Sequence, residues 1–139
     1  MRIVALDYGK ARIGIAITDE MGMMALPLCT LMAEKKIEDT VNKLQERLSC
    51  YDPQIKTIVI GLPLLLSGQE GEMAQLVKEF GEQLHQKMNI EIVYWDERLS
   101  SAHAHSILKE GQMKRKKRSK IIDPIAATLI LQSYLDANR

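Results

Sequence analysis

The stretch Arg2-Ile3-Val4-Ala5-Leu6-Asp7-Tyr8-Gly9, followed after Lys10-Ala11 by Arg12-Ile13-Gly14-Ile15-Ala16-Ile17-Thr18, leaves this chain few ways to fold. Two apolar, β-branched runs stand too close together for a crossover helix, so they must pair as an antiparallel hairpin. The first run ends in a carboxylate, Asp7, at the edge of what must be the core. Burying a charge is strongly unfavourable unless something pairs with it. A metal ion or a phosphate-bound cation is a natural partner. The alternative is a turn aspartate bonding the backbone that follows it.

Beyond the hairpin the pattern predicts a third strand at about 25–31 and a helix at about 35–50, with Ile37, Val41, Leu44 and Leu48 on one face. Asp52-Pro53 stops that helix. Ile55 to Leu62 reads as a strand covered on both faces. A loop from Pro63 to Gly71 leads to a helix at about 71–87 with Met73, Leu76, Val77, Phe80 and Leu84 as its stripe. Ile90 to Trp95 is the fifth strand. A third helix, capped by Ser100 or Ser101, runs to Gly111, a basic loop follows, and a last helix covers about 122–137 on Ile125, Ala126, Leu129, Ile130 and Tyr134. The class is α/β. Three meandering antiparallel strands precede two reached by helical crossovers, giving a mixed five-stranded sheet with helices on both faces. Ligands in such sheets bind at strand ends where the strand order reverses, which points to Asp7.

The chain has 139 residues, the size of one domain, and no apolar stretch approaches the ~20 residues that span a bilayer. It opens on a strand pattern with no signal-peptide character, and Cys29 and Cys50 lack metal-site spacing, so the expectation is a cytoplasmic protein with reduced thiols. The formal net charge is +1, but its distribution is uneven. Lys114, Arg115, Lys116, Lys117, Arg118 and Lys120 form one basic run. Removing those six from the 19 basic residues leaves 13 against 18 acidic ones, a net of −5. An acidic body with one basic run suits a polyanion-binding surface. A solvated loop or an exposed helix start is the plain alternative. The eight methionines read mostly as core filler. His103 and His105 are two apart, a poor metal pair on a helix, and His85 lies off its apolar stripe.

Three acidic positions stand where elements begin or end: Asp7, the pair Asp96-Glu97, and Asp123. Carboxylates converging from different elements make a hard, oxygen-rich site for Mg²⁺ or Mn²⁺, which can hold a phosphodiester and activate a water. Each has a simpler reading. Asp123 before Pro124 is an N-cap signature with proline at the first helical position. Asp96 and Glu97 can be a helix-start acid and an ion-pair partner of Arg98, and as neighbours in extended chain they point to opposite faces. The strand-Asp-x-Gly-turn-strand unit also resembles the phosphate-binding hairpin of actin-like and sugar-kinase ATPases, which need two lobes. The glycine-bounded loop from Gly61 to Gly71 can touch a nucleic-acid backbone through its amides.

Taken together, these segments resemble the YqgF/RuvX family of bacterial proteins. The resemblance rests on Leu6-Asp7-Tyr8-Gly9 with Arg12-Ile13-Gly14, Val59-Ile60-Gly61-Leu62-Pro63-Leu64 with Gly68 and Glu70-Gly71, Trp95-Asp96-Glu97-Arg98-Leu99-Ser100, the basic run, and Asp123 with Ala126-Ala127 and Leu129 to Leu135. It implies one RNase H-like domain over 1–139, related to Holliday junction resolvases. It implies a metal-dependent nuclease that matures the 5′ end of precursor 16S ribosomal RNA. The family's acidic positions map onto Asp7, onto the Asp96-Glu97 pair with Glu97 favoured, and onto Asp123, holding Mg²⁺ or Mn²⁺. Phosphate contacts are expected from Lys10, Arg12, Arg98, Lys114, Arg115, Lys116, Lys117, Arg118 and Lys120. Three departures stand out: Lys10-Ala11 before the hairpin arginine, Leu65 and Ser67 where the family carries Asn and Asp, and Pro124.

The expected activity is therefore hydrolysis of phosphodiester bonds in structured RNA, by a monomer or weak homodimer away from membranes. One rival is a dimeric resolvase acting on branched DNA in recombination and repair, which needs two sites related by symmetry. The other is a nucleic-acid-binding module without catalysis.

Overall fold

The computed structural model describes residues 1–100 and 116–138, with side chains described from 124 onward in the second segment. The expected third helix, Lys114 and Arg115 lie outside the described residues.

Five strands form one mixed sheet: β1 (Arg2–Tyr8), β2 (Arg12–Thr18), β3 (Ala25–Met32), β4 (Ile55–Leu62) and β5 (Glu91–Asp96), in the spatial order β3-β2-β1-β4-β5. β1 and β2 are antiparallel, as are β2 and β3, whereas β4 pairs parallel with β1 and β5 parallel with β4. This is the topology the sequence predicts. The first hairpin closes through a bond from the Gly9 amide to the Arg12 carbonyl at 2.9 Å. A Cβ at Gly9 would stand 2.7 Å from that same carbonyl oxygen, so only glycine fits.

Among the described residues the α-helices are α1 (Ile37–Leu48), α2 (Glu72–Met88) and α3 (Lys116–Ala137). On one face of the sheet, Val41, Leu44 and Leu48 of α1 and Val77, Phe80 and Leu84 of α2 bury against Leu6, Ile13, Ile15, Ile58 and Ile60. On the other face α3 lies across the sheet, and its Ala126, Ala127, Ile130, Leu131 and Leu135 pack on Ala5, Ala16 and Val59. Among the described residues no helix is long and apolar enough to cross a membrane.

Two expectations need correction. The last helix begins at Lys116, not near 122, so Lys116, Lys117, Arg118 and Lys120 belong to its first turns and not to a loop. Asp123 is consequently not its N-cap, and Pro124 sits inside the helix instead of opening it. The Asp-Pro pair is a strong start signal, but Lys and Arg are good helix formers, and the packed half beyond 126 outweighs the backbone bond that proline forgoes. Nor are the methionines mostly core filler: Met1, Met21, Met23, Met24 and Met32 are more than half exposed, whereas Met88 packs against the core.

Candidate active site

Strand alternation places the acidic residues. Ala5 faces α3 and Leu6 faces the opposite core, so Asp7 returns to the α3 side. There it is buried, at 9% exposure, across from Gly14 of β2. On β4, Val59 faces α3 and Ile60 does not, which puts Gly61 on the α3 side. Leu6 is in register with Ile60, so Asp7 and Gly61 follow side by side on parallel strands.

Glu97 reaches this place from the far side. It opens a short 3₁₀ turn, Glu97–Leu99, directly after β5, and is 5% exposed. Its side chain lies over Gly61: a Cβ there would meet Glu97 Oε1 at 2.8 Å, Glu97 Cγ at 3.1 Å and Ile130 Cδ1 at 2.6 Å. The glycine therefore gives Glu97 its passage across β4 toward Asp7. The turn is fixed from outside. The Trp95 indole N–H donates to Ser133 Oγ at 3.0 Å, and that hydroxyl donates to the Leu99 carbonyl at 3.1 Å. Trp95 also meets Tyr134 edge-on at 5.5 Å. The sequence places Gly61 and Ser133 in segments shared with the family but assigns neither a part in positioning Glu97; a glycine in a run of β-branched strand residues was the signal for the first.

Asp96 is engaged differently. Its carboxylate accepts the Arg98 amide at 2.9 Å and the Arg98 guanidinium at 3.1, 3.0 and 2.7 Å. This ion pair holds the Arg98 pKa above its ordinary value through the hydrogen bond to Asp96. Adjacent acids thus part company: Asp96 anchors an arginine and Glu97 turns inward.

Lys10 is exposed in the hairpin turn. Arg12 lies on the α3 side of β2 by alternation, and its Nε is enclosed with no hydrogen-bond partner among the described residues. Asp123 lies in α3, with its side chain outside the described residues, as are those of Lys116, Lys117, Arg118 and Lys120. A separate open groove of about 800 Å³ runs along Trp95, Arg98, Leu99, Leu129 and Gln132; neither Asp7 nor Glu97 lines it.

Two buried carboxylates on one sheet face, at the carboxyl ends of β1 and β5, offer oxygen donors of the kind Mg²⁺ and Mn²⁺ prefer. Among the described residues, no group of three or more His, Cys, Asp or Glu side chains comes together.

The sequence matches the family described as "RuvX: Holliday junction resolvase" over residues 1–137. The chain belongs to the RuvX family. A relative from Protochlamydia amoebophila, named "putative pre-16S rRNA nuclease", is 49% identical over 98% of this chain and 93% of its own length. One of the same name from Clostridium botulinum (strain Alaska E43) is 40% identical over 98% of this chain and 97% of its own. Among solved structures, RuvC of T. thermophilus in complex with a Holliday junction substrate aligns with a TM-score of 0.56 at 11% identity, covering 99% of this chain and 95% of that one. That likeness bears on the fold, which is RNase H-like in this RuvX member as the sequence predicts.

Proposed function

We propose that this RuvX-family chain is a nuclease that hydrolyses phosphodiester bonds in structured RNA and processes the 5′ end of precursor 16S ribosomal RNA in the cytoplasm. The observation that carries the reading is the pair of buried carboxylates, Asp7 and Glu97, on the same face of the sheet with a glycine between them. The names of its relatives point the same way.

The donor chemistry fits a hard divalent cation. Asp7, Glu97 and Asp123 would hold Mg²⁺ or Mn²⁺, which when bound activates water and neutralises charge on the phosphate. The chain's own residues do the rest. Lys10, Arg12 and Arg98 would take phosphates on either side of the scissile bond. Lys114, Arg115, Lys116, Lys117, Arg118 and Lys120 would extend that grip along the backbone, so binding should weaken steeply with salt.

The test is to incubate the purified chain with a 5′-extended 16S precursor fragment and with a four-way DNA junction, in Mg²⁺, Mn²⁺ or chelator, beside Asp7→Asn. Metal-dependent cutting of the RNA that the variant loses supports the reading. Preference for the junction, with a dimer in sedimentation, replaces it with resolution of branched DNA. Binding of either substrate without cutting replaces it with a non-catalytic module.

A further inference from the structure

α3 carries two faces. Ala126, Ala127, Ile130, Leu131 and Leu135 pack on the sheet. Leu129, Gln132, Ser133 and Asp136 repeat at i, i+3, i+4 and i+7 and so share the neighbouring face. That face is one wall of the open groove of about 800 Å³, and Trp95, Arg98 and Leu99 form the other. The volume is that of a small-ligand site.

The groove has three chemical zones. Trp95, Leu99 and Leu129 are apolar, and Leu99 is 64% exposed. Trp95 is fixed in place by its bond to Ser133 and its edge-on contact with Tyr134. Arg98 supplies a cation whose guanidinium is held by Asp96. It directly follows Glu97, so the groove opens from the end of the sheet that carries the two buried acids. The third zone is a polar pair: Gln132 Nε2 donates to Asp136 Oδ1 at 2.8 Å. That bond orients the exposed Asp136 carboxylate, which keeps free lone pairs and can only accept.

An i, i+4 pair on a helix surface is ordinary, and so is an exposed leucine. Their meeting with a tryptophan and an arginine in one groove is not, because together they match the parts of a nucleotide. Apolar walls suit the faces of a base, a fixed cation suits its phosphate, and a carboxylate suits donors on the base edge. Unpaired bases of RNA are read in this way, by stacking on aromatic rings and by hydrogen bonds to their Watson–Crick edges. Guanine fits best. It presents N1–H and the 2-amino group side by side, two donors for two carboxylate oxygens, where adenine, cytosine and uracil each present one donor beside an acceptor.

We propose that this groove is a base subsite: an unpaired guanine flanking the cut phosphodiester lies against Trp95 and Leu129 with its Watson–Crick edge on Asp136, and Arg98 takes its phosphate. The proposal rests on the nuclease reading and gives it a sequence preference, a guanosine in the unpaired strand beside the cut.

Trp95 is the chain's single tryptophan, so its fluorescence reports on the groove directly. The full chain is titrated with guanosine, adenosine, cytidine and uridine 5′-monophosphates in chelator, with correction for nucleotide absorbance. The guanosine nucleotide should quench Trp95 at about tenfold lower concentration than the others, a discrimination of the size that a bidentate base contact gives. Inosine 5′-monophosphate, which lacks the 2-amino group, should fall between. Asp136→Asn should erase the advantage of guanosine. On a 5′-extended 16S precursor fragment, changing guanosine to adenosine along the extension should slow cutting about tenfold at one position, and Asp136→Asn should make that position indifferent. Quenching by none of the nucleotides, no preference for guanosine, or a preference that survives Asp136→Asn overturns the subsite, and the nuclease reading stands if the fragment is still cut. If the chain neither binds nor cuts the fragment, the nuclease reading fails and takes the subsite with it.

Discussion

The two faces of the sheet are built from different residues for different ends. Under α1 and α2 the sheet presents Leu6, Ile13, Ile15, Ile58 and Ile60, which lock around Phe80 and Leu84. Under α3 the same strands present Ala5, Ala16 and Val59, with Gly14 of β2 opposite Asp7 and Gly61 near the carboxyl end of β4. The first face maximises apolar burial, the dominant favourable term in folding. The second gives up side-chain volume so that a helix can approach and two carboxylates can cross the strands. On the proposed reading the chemistry lies on the α3 side, which also carries the smaller core, while the larger core lies on the other, and the two can be perturbed one side at a time.

The largest effect should come from Glu97→Gln. Losing one charged group from the site is expected to lower the cleavage rate by about a hundredfold or more, with little change in the thermal midpoint, read by cutting of precursor RNA beside calorimetry. The mirror image is Phe80→Ala. Phe80 is fully buried, and its ring meets that of Tyr8 at a tilt of 41° with centroids 4.7 Å apart. Truncation should destabilise the fold by about 3–5 kcal/mol in urea unfolding, while the cutting rate per folded molecule stays near that of the parent. If Phe80→Ala alters the rate per folded molecule as much as Glu97→Gln does, the two faces are not separable.

Gly61→Ala should fall between them and on the α3 side. The added Cβ would press on Glu97 Oε1 and Ile130 Cδ1, both ends of side chains that can move aside. The stability change should therefore be about 1 kcal/mol, the low end for overpacking. On the proposed reading, moving Glu97 aside displaces a group that would hold the metal, so cleavage should drop about tenfold or more. A stability loss with unchanged cleavage would show that Glu97 acts elsewhere than over Gly61.

How much of this the sequence discloses varies along the chain. β4 is readable to the residue, Ile55–Leu62, because a dense β-branched run lies between Pro53 and Pro63. The hairpin bearing Asp7 is equally plain, since the spacing admits no other pairing. The start of α3 is not, because a local Asp-Pro signal competes with helix formers upstream and only the packed half carries an apolar stripe. The division of labour between Asp96 and Glu97 is half legible. Alternation separates them, and an ion pair with Arg98 is foreseeable for one, but not which. The passage over Gly61 is invisible in one dimension, because it joins residues of two strands and a helix that only the register brings together.

The smallest effect separates two aspartates that end strands of the same hairpin sheet. Asp19, after β2, is spent on structure: its carboxylate accepts the Met23 amide at 2.8 Å and the Met24 amide at 3.2 Å. Those backbone bonds, to Met23 first and Met24 second, hold its pKa below the usual carboxylate value. A depressed folded pKa stabilises the fold above the unfolded value of about 3.9, and that contribution is lost as pH falls through the lower folded value. Asp19→Ala should therefore be slightly less stable than the parent at pH 7, and the two urea midpoints should converge as the pH drops below about 4. The turn lies at the end of the sheet away from Asp7, so cleavage at pH 7 should not change. A gap between the midpoints that persists undiminished to low pH would show that the turn depends on the side chain's shape and not its charge. A fall in cleavage would join this end of the sheet to the site and undo the division between a structural aspartate and a chemical one.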